Sequence, residues 1–306
     1  MKQLVVLSGK GGTGKTTVTA ALAHLGSKEL PMVLADADVD AANLELVVEP
    51  EKLEQHEFWA GKRAVIDPDV CTACGVCEEV CRFGAILPPG RAPRGRGATS
   101  SDAYQVEGLS CEGCAACTYQ CPVDAIQMEE QQAGLWFRSK SRFGPLFHAH
   151  LFAGQENSGK LVTVVKKEGR ELALSTGAPL LLVDGPPGIG CPVISAISGA
   201  DMVLLVGEPT VSGAHDLDRV LQTADHFGVP ALVVINKADL NVRRSDDVAA
   251  FCEERDVELV GRIPYDTTVT EAMVQGKPVT AYTDGAVSEA LREIWNRVKA
   301  LLELEA

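Results

Sequence analysis

Apolar residues in this chain fall in short unbroken runs bordered by glycine, proline, aspartate or asparagine, at residues 4–7, 33–35, 180–183, 202–206 and 231–235. Continuous apolar runs of that length with such borders read as strands buried on both faces, the mark of a parallel sheet. Helical spacing separates them. Residues 16–25 suit a helix, and within 213–227 Leu217, Val220, Leu221 and Ala224 share one face. Residues 161–174 fit helix or strand, and helix is preferred with Ser158 as its cap. At the far end, 286–302 puts Val287, Ala290, Leu291, Ile294, Trp295, Val298, Leu301 and Leu302 on one face. Its polar face mixes Arg292, Glu293, Arg297, Lys299 and Glu303, without the basic bias of a membrane anchor, so this face is expected to pack on a core.

Strand–helix repeats of this kind predict an α/β fold, a doubly wound and mostly parallel sheet with helices on both faces. The pattern breaks near Arg63 into a cysteine-rich stretch and resumes after about Met128. The organisation expected is therefore a discontinuous nucleotide-binding domain, 1–62 and 132–306, with an inserted α+β domain at 63–131. At 306 residues the chain can bury a large core, and its net charge of −14 disfavours nucleic acid and anionic membranes as partners. No apolar stretch approaches a membrane span, no leader is evident, and a cytoplasmic location is expected. Ten cysteines in such a setting read as metal ligands or redox centres rather than disulfides.

Gly9-Lys10-Gly11-Gly12-Thr13-Gly14-Lys15-Thr16-Thr17 follows the first strand and opens the first helix. That is the phosphate-binding GxxxxGK[ST] loop in its required setting. Backbone N–H groups of Gly11, Gly12, Thr13, Gly14 and Thr17 converge on phosphate oxygens, Lys15 reaches the β- and γ-phosphates, and the Thr16 hydroxyl holds Mg²⁺. The early lysine, Lys10, makes the loop resemble the deviant Walker A of MinD, ParA, Mrp and nitrogenase iron-protein relatives, over residues 1–60 and 150–306. The resemblance implies an ATPase active as an ATP-dependent homodimer, in which Lys10 touches the partner's nucleotide. It implies further that Asp38, in Leu34-Ala35-Asp36-Ala37-Asp38, positions the attacking water, and that Asp184 ends a Walker B strand beside Mg²⁺. Residues 185–188 would sense the γ-phosphate, Asn236 would read adenine, and the loop holding Pro264 and Asp266 would close over the base.

Cys71-x2-Cys74-x2-Cys77-x3-Cys81 and Cys111-x2-Cys114-x2-Cys117-x3-Cys121-Pro122 are two copies of one motif, and the likeness continues past the cysteines. The spacing resembles that of bacterial ferredoxins holding two [4Fe–4S] clusters. In such proteins the fourth cysteine of each run serves the other cluster. The resemblance therefore implies cluster one on Cys71, Cys74, Cys77 and Cys121, and cluster two on Cys111, Cys114, Cys117 and Cys81. Structural zinc and unrelated thiols are the alternatives, but zinc sites usually pair two C-x2-C hooks across a longer gap. Arg82 stands where the first run would often carry proline. The basic stretch 91–97 between the runs reads as a solvated loop or a docking tag for an acidic redox partner. Cys252 is expected to be buried. Cys191, just past the switch, is a packing residue or a redox or metal-binding thiol.

The whole resembles MinD-type ATPases with an inserted ferredoxin domain. ATP or ADP, Mg²⁺ and two clusters are the cofactors implied, and ATP-gated electron transfer to a partner protein is the function implied. A cluster or metallocofactor carrier and a MinD-like positioning ATPase are the alternatives. A second MinD-like subunit and a metal-cofactor-binding or redox protein are the partners to expect, with no nucleic acid and no membrane insertion.

Overall fold

The computed structural model describes residues 1–91 and 102–304. Beyond Arg91, the basic stretch lies outside them. In chain order the elements are β1 (Lys2–Ser8), α1 (Lys15–Gly26), β2 (Met32–Asp36), α2 (Glu45–Val48), β3 (Glu51–Ile66), α3 (Val76–Val80), β4 (Ile86–Leu87), β5 (Gln105–Val106), α4 (Ala116–Gln120), β6 (Ile126–Ser141), β7 (Gly144–Leu151), α5 (Ser158–Thr176), β8 (Leu180–Pro187), α6 (Cys191–Ile197), β9 (Met202–Gly207), α7 (Val211–His226), β10 (Ala231–Asn236), α8 (Val242–Glu254), β11 (Glu258–Ile263), α9 (Thr268–Val274), α10 (Val279–Tyr282) and α11 (Ala286–Leu301). All five apolar runs are strands, and residues 161–174 lie in a helix that does begin at Ser158.

The main sheet has nine strands in the order β11-β10-β9-β1-β8-β2-β7-β6-β3. From β11 to β7 every recorded pairing is parallel, and β1 sits between β8 and β9. Leu4, Val5, Val6 and Leu7 have no solvent exposure, as a central parallel strand covered on both faces requires. The loops after β1, β2, β8 and β10 all leave from the carboxyl ends of these strands, where open α/β sheets bind ligands.

The wing beyond β2 was not anticipated. β6 and β7 are neighbours joined by Arg142 and Phe143 alone, a link short enough only for an antiparallel hairpin. β3 forms the edge of the sheet, and its residues 51–57 are all exposed. Such a strand carries no buried run to announce it.

The chain divides into two compact units. One comprises Met1–His56, Leu135–Leu151 and Ser158–Ala306, and the other Glu57–Gly134 with Phe152–Asn157. Two of the smaller unit's edges, at 57 and 134, fall inside the continuous strands β3 and β6, a few residues from the expected 63 and 131, and the short piece 152–157 joins it as well. In the larger unit α11 buries Val287, Leu291, Ile294, Trp295 and Val298 in the core. Its apolar face is core, as expected. Trp295 approaches α1 closely enough that a Cβ at Gly26 would lie 2.9 Å from its ring. Among the described residues no helix is long and apolar enough to cross a membrane. The smaller unit has its own small core of Ala64, Cys77, Ile86, Cys117 and Ile126, with an antiparallel pair, β4 and β5.

Candidate functional site

The phosphate loop spans residues 9–16 between β1 and α1, with Gly12 and Gly14 in the left-handed region at φ of 81° and 91°. A side chain at Gly14 would also strike Asn236, its Cβ 2.2 Å from Nδ2. Only glycine meets both demands. No side chain caps α1, so its first-turn N–H groups keep their facing open to an anion. Thr13 Oγ1 is buried with no hydrogen-bond partner among the described residues, an orphan that a phosphate oxygen would satisfy.

Below the loop lies a buried charge cluster. Lys15, 6% exposed, places Nζ 2.9 Å from Asp184 Oδ1 and 3.5 Å from Asp38 Oδ2. Thr16 and Thr19 donate to the two oxygens of Asp184 at 2.7 and 2.8 Å. Burial opposes the Lys15 charge, but Asp184, Asp38 and Asp36 outweigh it and hold its pKa above the ordinary value. Asp38 moves up through burial, with Lys15 opposing. Asp36, fully buried, is pushed well up by burial and by Asp184. It accepts N–H bonds from Asp38 and Leu44, both at 3.1 Å, and so shapes the loop that carries Asp38.

Lys10 does not join this cluster. Its Nζ lies 3.3 Å from Thr210 Oγ1 and 3.4 Å from Glu208 Oε2, just past β9. Glu208 also holds Lys237 at 2.5 Å. Sequence reading passed over Glu208, since one carboxylate before a proline carries no motif.

At the end of β10, Asn236 donates from Nδ2 to Thr13 O at 2.7 Å and accepts from the Lys237 N–H at 3.0 Å. Its amide ties β10 to the phosphate loop and keeps a second N–H on Nδ2. Lys237 adds a bond from Nζ to Gly12 O at 3.3 Å. Asp239 accepts the Tyr265 N–H at 2.6 Å and so fixes the loop carrying Pro264 and Asp266. Asp266 caps Thr268 at 2.9 Å, and that N–H lowers its pKa. Asp239 was also missed. The spacing Asn-Lys-x-Asp was the available signal.

Cys191 opens α6 and is exposed. A Cβ at Gly159 would be 3.4 Å from its Cβ, so α5 and α6 touch there. Lys166 of α5 donates to the carbonyls of Ser195, Ala196 and Ser198 at 2.8, 2.5 and 2.8 Å, and burial lowers its pKa to about 8. Cys252 is buried, as expected.

In the smaller unit, the two cysteine runs adopt one conformation twice. Ala73 and Gly113, Gly75 and Ala115, and Gly84 and Asp124 are matched left-handed residues. Left-handed alanines and an aspartate cost about 1–2 kcal/mol each, strain that persists only where the surroundings impose it. A cavity of about 20 Å³ is lined by Cys71, Cys74, Cys77 and Cys121. A second, also of about 20 Å³, is lined by Cys81, Cys111, Cys114 and Cys117. Backbone N–H groups point at sulfur: Ala73 at Cys71, Ala125 at Cys121, Ala64 at Cys111 and Ala85 at Cys81, over 3.3–3.5 Å. All ten thiols are free of disulfides, and burial pushes Cys77 up to about 11. Among the described residues no three His, Cys, Asp or Glu side chains converge on a point suited to a single ion.

Comparison with known proteins gives a consistent frame. The uncharacterised protein MJ0578 of Methanocaldococcus jannaschii is 30% identical over 300 residues, 98% of this chain and 97% of its own length. The septum site-determining protein MinD of Bacillus subtilis is 24% identical, over 96% of this chain and 88% of its own. The solved structure of MinD complexed with Mg-ADP from Pyrococcus horikoshii shares the fold, with a TM-score of 0.59, 19% identity and coverage of 100% and 98%. A family profile described as the CobQ/CobB/MinD/ParA nucleotide binding domain matches residues 4–279. The chain thus belongs to the CobQ/CobB/MinD/ParA nucleotide-binding family, and it is a P-loop ATPase.

Proposed function

We propose that this ATPase is an iron–sulfur protein that couples ATP-driven dimerisation to electron transfer toward a partner protein. The observation that carries the reading is the composition of the two cavities: each takes three cysteines from one run and the fourth from the other. That is the crossed ligand set of two-cluster ferredoxins. The donor set fits. Zinc sites usually pair two C-x2-C hooks, whereas each cavity here gathers three cysteines of one C-x2-C-x2-C run with the fourth cysteine of the other. Cys71, Cys74, Cys77 and Cys121 would hold one [4Fe–4S] cluster, and Cys81, Cys111, Cys114 and Cys117 the other. Such clusters supply one-electron chemistry at a potential set by charge, burial and N–H···S bonds. The four N–H groups aimed at sulfur act on that potential, and the stretch 63–131 is the inserted domain of this reading.

In the ATPase unit, Mg-ATP would displace the internal pairings. Lys15 exchanges carboxylates for the β- and γ-phosphates. Thr16 and Asp184, already bonded to each other, turn to Mg²⁺. The P. horikoshii MinD carries Mg-ADP, which supports that assignment. The Asp38 carboxylate, 13% exposed beside Lys15, positions the attacking water. Lys10 leaves Glu208 and Thr210 for the nucleotide of a second copy, where a cation offsets the charge on the transferring phosphoryl.

Anaerobic purification with iron and sulfide analysis tests the reading. About eight irons per chain and an electron paramagnetic resonance signal on reduction are expected. A protein that binds zinc stoichiometrically, or no metal, would refute it. Exposure of Cys74 and Cys114 favours a cluster carrier as the second reading, and transfer of iron to an apo-acceptor would single it out.

A further inference from the structure

His148 of β7 takes no part in the chemistry above, yet it is buried and its ring is held from both sides. Nε2 lies 2.9 Å from Oγ of Ser139, a buried residue of β6, and Nδ1 lies 3.3 Å from Glu45 Oε2. The Phe137 ring packs against the imidazole, with 5.0 Å between centroids. Glu45 opens α2, immediately after the loop 37–44 that carries Asp38. We propose that His148 is a positioning residue for ATP hydrolysis. Through Glu45 it fixes the exit of that loop, so that Asp38 keeps its place when nucleotide is bound.

Proton placement fixes how the three side chains act together. Burial lowers the pKa of His148 to about 4, so the ring is neutral and carries a single N–H. The Glu45 carboxylate only accepts, so that proton sits on Nδ1, and Nε2 accepts from the Ser139 hydroxyl. Ser139 thus sets the ring, and the ring presents its donor to Glu45. The other anchors of the loop hold backbone. Asp36 accepts the N–H groups of Asp38 and Leu44, and Val39 O accepts the Leu151 N–H at 3.1 Å. The Asp38 carboxylate itself is held by Lys15 at 3.5 Å, and Lys15 is the residue that turns to the phosphates. Binding of ATP therefore removes that restraint, and the ends of the loop must keep Asp38 in place. β7 fastens both ends, through Leu151 near the entrance and His148 at the exit.

The inference rests on the reading of Asp38 given above, and the test separates the two. Steady-state ATP hydrolysis is measured on full-length protein, purified anaerobically, for Asp38→Ala, Glu45→Ala, His148→Gln and His148→Asn. Glutamine reproduces the Nε2 position and keeps Ser139 paired, but it leaves Glu45 without a donor. Asparagine reproduces the Nδ1 position and keeps that donor. The kcat of His148→Gln should fall about tenfold, the loss expected when one polar contact to a charged group goes, with KM for ATP within about twofold. His148→Asn should recover most of that rate, whereas a histidine that only fills the core would lose equally in both variants. Glu45, about a third exposed, can be truncated without disturbing the core, and Glu45→Ala should match His148→Gln. The Glu45→Ala/His148→Gln double variant should be no slower than either single one, as for two halves of one contact. Where His148→Gln does not fold, Glu45→Ala alone decides. A full rate in Glu45→Ala, equal losses in the two His148 variants, or a loss carried by KM would overturn the inference while an inactive Asp38→Ala left its own reading standing. An unimpaired Asp38→Ala would overturn both.

Discussion

The phosphate site and the cysteine cavities solve opposite problems. Around the phosphate loop every charge already has a partner inside the protein: Lys15 has Asp184 and Asp38, Asp184 has Thr16 and Thr19, and Lys10 has Glu208. In the smaller unit the thiols surround two hollows and bond to little beyond backbone N–H groups. A ligand that comes and goes needs a site that survives its departure, so the protein's own groups stand in for it. A resident group can be part of the core, and the core is built around it. The contrast predicts where mutation harms the empty protein and where it harms only the loaded one.

The largest effect is expected at Lys15. Lys15→Ala leaves Asp184, which has no solvent exposure, without its cation. Breaking a buried pair from one side costs roughly 3–5 kcal/mol, so the nucleotide-free protein should melt several degrees lower and bind no ATP. Thermal denaturation without ligand, set beside nucleotide titration, measures both. Unchanged stability would show that the pairing in the empty site is incidental.

Next comes a change that should spare the empty protein. Cys121→Ser lies in the second run yet lines the cavity of Cys71, Cys74 and Cys77. Roughly half the iron should go, four of about eight atoms in a two-cluster protein. The spectrum of the surviving cluster should be that of the Cys81, Cys111, Cys114 and Cys117 site. Loss of the other cluster instead would break the crossed assignment. Because Ser nearly matches Cys in shape and the cavity is hollow, melting of the metal-free protein should move little.

A third test concerns Lys10, whose ammonium is about a third exposed. An exposed pair of this kind is worth at most about 1 kcal/mol. Lys10→Ala should therefore leave the monomer's stability intact. In an Asp38→Ala background, which would block hydrolysis, it should abolish the dimer that sedimentation detects with Mg-ATP. A persisting dimer would confine Lys10 to its contacts with Glu208 and Thr210.

What the sequence made legible follows the same divide. The phosphate loop, the strands carrying Asp36 and Asp184 and the two cysteine runs could be read because each combines a fixed spacing with a buried or glycine-bordered run. β3 could not, since its residues 51–57 are all exposed, and β6 and β7 could not, since no turn signal marks where one unit ends. Glu208 was invisible for another reason. It acts through a contact 29 residues away along the chain, and no local pattern records it. Asn236 was placed at the right strand end. Its bonds to Thr13 and Lys237, however, give it a tethering role that sequence could not separate from base reading.

The smallest effect sharpens the contrast through pH. The stretch 57–134 contains no histidine, whereas His24 lies buried in α1, 2.8 Å from Thr280 Oγ1. Burial first, then the nearby cations Lys28, Arg142 and Arg292, lower its pKa from 6.5 to about 4. Between those two values the unfolded chain binds a proton that the folded chain refuses. The unfolded state therefore binds more protons, stability rises with pH across this window, and acidification erodes it. From pH 6.5 to pH 5 this group's loss is about 1.6 kcal/mol, since only half a proton separates the two states at pH 6.5. His24→Gln, which keeps a polar contact for Thr280 but cannot titrate, should remove that share of the slope and leave the share of His148, which burial also lowers to about 4. Denaturant titrations at both pH values, followed by far-ultraviolet dichroism for the whole chain and by visible absorbance for the cysteine unit, separate the regions. The expected result is a midpoint that falls with pH in the dichroism and not in the absorbance. Equal falls in both would mean that the two units unfold as one, and the divide drawn here would hold for chemistry but not for stability.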